Sequence, residues 1–167
     1  MQSIAGTDHV ATIQQAWAVE RPDVDTSAMG IIGRIHRIAA ALTTELTAVY
    51  AQFGLSEAEF DLLAALRRAG EPFERPAGDL AAHTMVTTGG LTKRVDRLAE
   101  RGLVTRSRGG TDARMRMVAL TRAGRALIDK AFTAHMQNEQ RLISGLTEAD
   151  AAALHPILTR WAEALKG

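Results

Sequence analysis

Apolar residues recur at steps of three and four along most of this chain, and the breaks in that rhythm mark its elements. The first rhythmic stretch covers residues 8–20, where Asp8 stands as a cap and Ile13, Ala16, Trp17 and Glu20 follow at helical spacing. Arg21-Pro22-Asp23-Val24-Asp25 interrupts it, because the residue before a proline is driven out of the helical region. From Ser27 a longer stripe (Ile31, Ile35, Ile38, Leu42, Leu46, Val49, Phe53) predicts one helix terminated by Gly54. A stripe of that length exceeds what a small domain needs for its own core and points to a partner helix. Ser56 and Glu59 have the spacing of a capping box and open a helix to about Ala69. Residues 70–76 read as a connector and 77–83 as a short second helix. Thr87 is the expected cap of a third helix that runs to Arg101 and stops at Gly102. Leu103-Val104-Thr105 and Met117-Val118-Ala119-Leu120 have the pattern of hairpin strands, with Gly109-Gly110 near the tip. Thr121 is placed to cap a helix over 122–145, and Thr147 with Asp150 to open a last amphipathic one.

These elements predict a mainly α fold with a small β-hairpin wing: a winged helix-turn-helix with a helical dimerisation layer built from both chain ends. The expected organisation is an N-terminal helix and loop over 1–26, a dimerisation helix over 27–54, a DNA-binding domain over 55–121 and C-terminal dimerisation helices over 122–167. No internal repeat or low-complexity tract competes with that division.

Composition changes the picture only locally. The 167 residues carry a formal net charge of +1, which says nothing about nucleic acid. Residues 87–116, however, hold eight basic side chains against three acidic ones, a local +5, whereas residues 1–25 hold four acidic against one basic, a local −3. Such asymmetry suits a footprint on phosphate. The absence of cysteine excludes disulfides, thiol redox sensing and cysteine-ligated zinc. No stretch has the unbroken apolar length of a membrane span, and the N-terminal residues lack a basic start followed by an apolar run. A cytoplasmic protein is the expectation, with no cofactor, no metal and no membrane partner. His9, His36, His83, His135 and His155 are scattered, and no nucleophile–base pair or phosphate loop is present, so catalysis is not expected.

A helix followed directly by an arginine-studded ribbon is what reading duplex DNA requires: the helix enters the major groove and the ribbon reaches the adjacent minor groove. On the third helix Leu91, Val95 and Leu98 share the inward face, leaving Lys93 and Asp96 outward, with Arg97 towards one flank and Thr92 on the other. The start of that helix, Thr87-Thr88-Gly89-Gly90, is small and hydroxylated and permits close approach to bases and phosphates. If Gly89 and Gly90 lie inside the helix, each costs roughly 1 kcal/mol relative to alanine. The expected DNA contacts are Thr87, Thr88, Gly90, Thr92, Lys93, Arg94 and Arg97 from the helix, with Arg108, Arg114 and Arg116 from the ribbon. Asp112, two residues from Arg114 and so on the same side of a strand, would orient its guanidinium.

Three features together resemble the MarR family of winged-helix transcriptional regulators: Leu55-Ser56-Glu57-Ala58-Glu59-Phe60-Asp61-Leu62-Leu63, the helix end Leu98-Ala99-Glu100-Arg101-Gly102-Leu103-Val104, and the Asp112-x-Arg114 wing with Leu120-Thr121 after it. The resemblance covers residues 30–165 and implies a homodimer on pseudo-palindromic double-stranded DNA, usually a repressor released by a small ligand. A narrower resemblance, to urate-responsive members and to relatives that sense trans-aconitate, rests on an N-terminal helix bearing Trp17, the Arg21-to-Asp25 segment, Asp61, Arg68 and Arg94. It implies that Trp17, Asp61, Arg68 and Arg94 bind a small anionic ligand. Spacing is compatible: Asp61 and Arg68 are two turns apart and share a helix face, and Arg94 lies about 60° from Leu91, at the margin of the buried side. The alternative is a DNA-binding dimer with no small-molecule ligand, in which Trp17 fills a core and Arg94 touches phosphate alone.

Overall fold

The structure is a computed structural model, and it describes residues 8–84, 90–108 and 116–166. The chain forms two compact units, Met1–Glu45 and Leu46–Gly167.

The first unit contains α1 (His9–Glu20) and residues 27–45 of α2 (Ser27–Gln52). Asp8 caps α1 as the pattern predicts, its carboxylate accepting from the backbone N–H groups of Val10 (3.1 Å) and Ala11 (3.3 Å). The same carboxylate is ion-paired with Arg34 of α2. That pairing, with the cap hydrogen bonds, holds Asp8 below the usual aspartate range. The two helices close on small residues: a Cβ on Gly33 would lie 3.0 Å from a Val10 methyl, and Val10 is the buried residue of α1. Gln14 ties α1 to the loop by donating from Nε2 to the Thr26 carbonyl at 2.9 Å.

The second unit is built around α3 (Glu57–Arg67), whose side chains from Glu59 to Leu66 are all buried. It starts in the expected capping box: Ser56 accepts from the Glu59 N–H, and the Glu59 carboxylate accepts from the Ser56 N–H at 2.9 Å and hydroxyl at 2.8 Å. Around α3 close β1 (Glu74–Pro76), a 3-10 turn (Leu80–His83), α4 (Leu91–Glu100), β2 (Val104–Arg108), β3 (Arg116–Leu120) and α5 (Arg122–Ile143). The fully buried side chains Leu62, Leu63, Leu66, Leu80, Val95, Leu98, Val118 and Ile128 draw on most of these elements. Last comes α6 (Glu148–Ala164), opened by the predicted Thr147–Asp150 capping box.

Four expectations change. The connector over 70–76 contains a strand: β1 pairs antiparallel with β3, giving a three-stranded sheet in the order β1-β3-β2 rather than a lone hairpin. Three residues ending in a proline carry no alternation to read, and tertiary pairing makes the strand. The wing strands are longer than their apolar cores, since β2 runs on through Arg106, Ser107 and Arg108. The expected helix over 77–83 is a single 3-10 turn at Leu80–His83, anchored by the buried Leu80. Finally, α4 begins at Leu91 rather than behind Thr87, with Gly90 in the cap position at φ +79°. Gly90 is therefore not an expense inside a helix. It is the residue that a left-handed turn into the helix requires. At its other end α4 closes in a Schellman motif, Leu103 N–H to Leu98 carbonyl (2.9 Å) and Gly102 N–H to Ala99 carbonyl (2.9 Å), with Gly102 at φ +70°.

Candidate nucleic-acid interface

The apolar stripe of α4 fixes which side it turns outward. Val95 and Leu98 are fully buried and Leu91 half-buried, so Lys93 and Arg97 are exposed and Thr92 stands open on the flank. Arg94 is half-buried, at the margin where its angle from Leu91 puts it.

Two carboxylates hold this helix. Behind it, the cap residue Glu59 lies 3.5 Å from Arg97 Nε and 4.0 Å from Arg101 Nη1. Burial opposes ionisation of Glu59, but the Ser56 N–H and hydroxyl together with the two guanidinium groups outweigh it, and its carboxyl titrates below the usual range. One buried acid thus starts α3 and docks α4 on it. On the wing side, Asp96 of α4 meets Arg106 of β2 at 2.5 Å, and Arg106 also donates to the Thr92 carbonyl at 3.3 Å. Charge counting along the sequence registers Arg106 and Asp96 but gives neither a role. The signal that locates them is strand alternation, because Arg106 is paired with Val118 and two residues from Val104, both buried on the face that α4 covers. Between these elements lies an open recess of about 670 Å³, lined by Ala77, Thr92, Arg106, Ser107, Arg116 and Val118.

The sheet is fastened to α5 at both edges. Thr121 caps α5 by accepting from the Gly124 N–H (2.9 Å), and its hydroxyl lies 2.7 Å from the Gly102 carbonyl and 3.2 Å from that of Leu103. Gly124 is buried against the Leu103 backbone. At the other edge the Phe73 carbonyl accepts from the Leu120 N–H (3.0 Å). The guanidinium groups of Arg67 (5.0 Å) and Arg125 (4.4 Å) both pack over the Phe73 ring.

Of the expected DNA contacts, Gly90, Thr92, Lys93, Arg94, Arg97 and Arg116 fall on described side chains or backbone along this surface. Thr87, Thr88, Asp112 and Arg114 lie outside the described residues, as does the side chain of Arg108. Of the expected ligand residues, Asp61 and Arg68 are brought together at 3.9 Å, the first buried and the second exposed. A recess of about 300 Å³ beside Arg68 is lined by Ala64, Arg67, Ile128, Asp129 and Phe132. Trp17 belongs to the first unit and is half exposed. Among the described residues, no cluster of His, Asp and Glu could hold a metal ion, and no helix is long and apolar enough to cross a membrane.

Comparison with known proteins decides the family. Residues 53–115, from the end of α2 into the wing, match the family model described as MarR family. Over 151 residues the chain is 34% identical to the HTH-type transcriptional regulator PecS of Dickeya dadantii, covering 90% of this chain and 91% of the relative. The chain belongs to the MarR family. Among solved MarR-family structures it resembles a mutant form of Escherichia coli MarR complexed with operator DNA, with a TM-score of 0.67 and 25% identity over 86% of this chain and 96% of that one. It also resembles Bordetella bronchiseptica BpsR, whose DNA binding is regulated by 6-hydroxynicotinic acid, with a TM-score of 0.68 and 25% identity over 78% and 91%. As a MarR-family protein it is a DNA-binding transcriptional regulator with a winged helix, and not an enzyme.

Proposed function

We propose that this regulator acts as a homodimer on a pseudo-palindromic duplex site, as a repressor released by a small anionic metabolite. The observation that carries the dimer is α6: it buries none of its residues, yet exposes Leu154, Ile157 and Leu158. On α5, Phe132, Met136 and Ile143 are likewise exposed, and in the first unit so are Ile31, Ile38 and Leu42 of α2. Apolar helix faces of this extent are favourable only when covered, and a symmetric second copy covers the same faces on both chains at once.

In this reading Thr92, Lys93 and Arg97 approach the major groove. Gly90 lets the backbone come close, and Arg108, Arg114 and Arg116 serve the wing, with Asp112 orienting Arg114. Thr87 and Thr88 contact the helix-proximal phosphates. The ligand is a planar or polycarboxylate anion held by Trp17, Asp61, Arg68 and Arg94. The half-buried placement of Arg94 supports its double service, since a margin residue can turn inward to an anion or outward to phosphate. BpsR, regulated by a planar ring acid, supports the ligand class. A ligand shifts the balance between two poses only by its differential affinity, so it must bind free protein more tightly than DNA-bound protein, and DNA must weaken ligand binding by the same factor.

The test has two arms. Sedimentation equilibrium of the full chain should give a dimer, and a stable monomer overturns the assembly. Calorimetric titration of 6-hydroxynicotinate, urate and trans-aconitate into protein with and without bound duplex should give weaker binding in its presence. Equal affinities overturn release, and no binding of any of the three favours a dimer with no ligand of this class.

A further inference from the structure

The structure assigns Arg106 and Asp96 a task that neither charge alone explains: we infer that they form a clamp setting the wing's position against the recognition helix, so that Asp96, an acid beside DNA, promotes binding. The inference rests on α4 and the wing together facing DNA, and adds to that reading the pair that fixes their spacing.

Arg106 leaves β2 on the face shared with buried Val104 and Val118, and reaches α4 at two points one turn apart, the Thr92 carbonyl (3.3 Å) and the Asp96 carboxylate (2.5 Å). The planar fork reaches the two acceptors from two separate nitrogens, Nη2 towards the Thr92 carbonyl and Nη1 towards the Asp96 carboxylate, whereas a lysine has one nitrogen to place. Both side chains are about half exposed, which makes the pair a weak contributor to stability but leaves its effect on geometry intact. The geometry matters because α4 and the wing are to meet two neighbouring grooves at a fixed separation. Glu59 docks α4 from behind through Arg97 and Arg101, so the helix is held on one side by the core and on the other by the wing.

Charge counting predicts the opposite sign. Taking a carboxylate away from a surface that approaches phosphate should tighten binding, whereas a clamp predicts that it loosens. The experiment uses the full-length protein and a duplex enriched from a random-sequence library on the wild-type protein, with dissociation constants measured at one fixed salt concentration. Asp96→Asn is expected to weaken binding about fivefold, the factor equivalent to the upper end of an exposed ion pair. Arg106→Lys should weaken it similarly although the net charge is unchanged. The double variant should lose no more than the worse single one, the signature of residues acting through each other. Asp96→Glu, which restores the carboxylate, should recover most of the affinity, and all four proteins should melt close to the wild type. Unchanged or tighter binding by Asp96→Asn overturns the clamp, and so do additive losses in the double variant. A wild-type protein that enriches no duplex overturns instead the DNA-facing reading on which the clamp rests.

Discussion

Glycine to alanine inside a helix ordinarily stabilises by about 1 kcal/mol, since alanine restricts the unfolded chain and suits the helix. At Gly124, in the first turn of α5, the sign should reverse. A Cβ built there would lie 1.9 Å from the Leu103 carbonyl oxygen and 2.9 Å from its carbonyl carbon. Contacts under 3.0 Å between a Cβ and such an atom are essentially never seen, so α5 or the β2 entry must retreat by about 1 Å. Neither is free to do so. The Leu103 carbonyl accepts from the Thr121 N–H (3.1 Å), Leu103 is buried, and Thr121 binds this junction through its own hydroxyl. Overpacking against fixed backbone costs typically 1–3 kcal/mol, and disruption of the Thr121 cap adds about 1 kcal/mol. Set against the intrinsic gain, a net loss of about 1–3 kcal/mol is expected for Gly124→Ala. In a chain of this length that lowers the melting temperature by roughly 2–12 °C. Thermal unfolding followed by circular dichroism, with both proteins at one concentration, measures it. Gly145→Ala is the control: nothing lies within 4 Å of a Cβ there and the backbone is not in the left-handed region, so its melting point should barely move. A Gly124→Ala protein that melts at or above the wild type would refute the close approach.

Three further outcomes follow from the described geometry. Glu59→Gln keeps an acceptor for Ser56 but loses the charge facing Arg97 and Arg101, so it should destabilise by about 1 kcal/mol at neutral pH. Because the folded pKa is depressed, that stability is present above the unfolded value near 4.5 and is lost as pH falls through the folded one. Urea titrations at a series of pH values should therefore show the wild-type advantage vanish in acid. Burial, then the charges of Glu57, Glu139 and Asp61, raises the Tyr50 hydroxyl to about 12, so its contribution is full below pH 10 and disappears between 10 and 12. Tyr50→Phe, which cannot ionise, should lose less stability than the wild type over that interval. Ile157→Glu, which sets a charge on the exposed apolar face of α6, should shift the proposed dimer towards monomer in sedimentation, with little effect on the fold.

Four of the helices were legible because each carries its own punctuation. Asp8, Ser56 with Glu59, Thr121, and Thr147 with Asp150 all cap where the pattern places them. What local pattern could not supply were features made by distant partners. Glu74-Arg75-Pro76 becomes a strand only because β3 offers a free edge, and Gly90 looks like a helix-interior flaw until its positive φ is seen. The site shows the same division. The outward face of α4 follows from helical angle alone, and the nearness of Asp61 to Arg68 follows from their spacing. The attachment of Arg106 to Asp96, and of Glu59 to two arginines of another helix, depends on a fold that no short-range rule encodes.

The packing of Arg67 and Arg125 over Phe73, together with the Gly124–Leu103 junction on the opposite sheet edge, has a mechanical consequence. Both margins of the wing sheet are attached to the opening turn of a single long helix, so a tilt of that helix would carry the two edge strands together. In the proposed dimer, a partner held at the far end of the helix would act on the wing through that one turn.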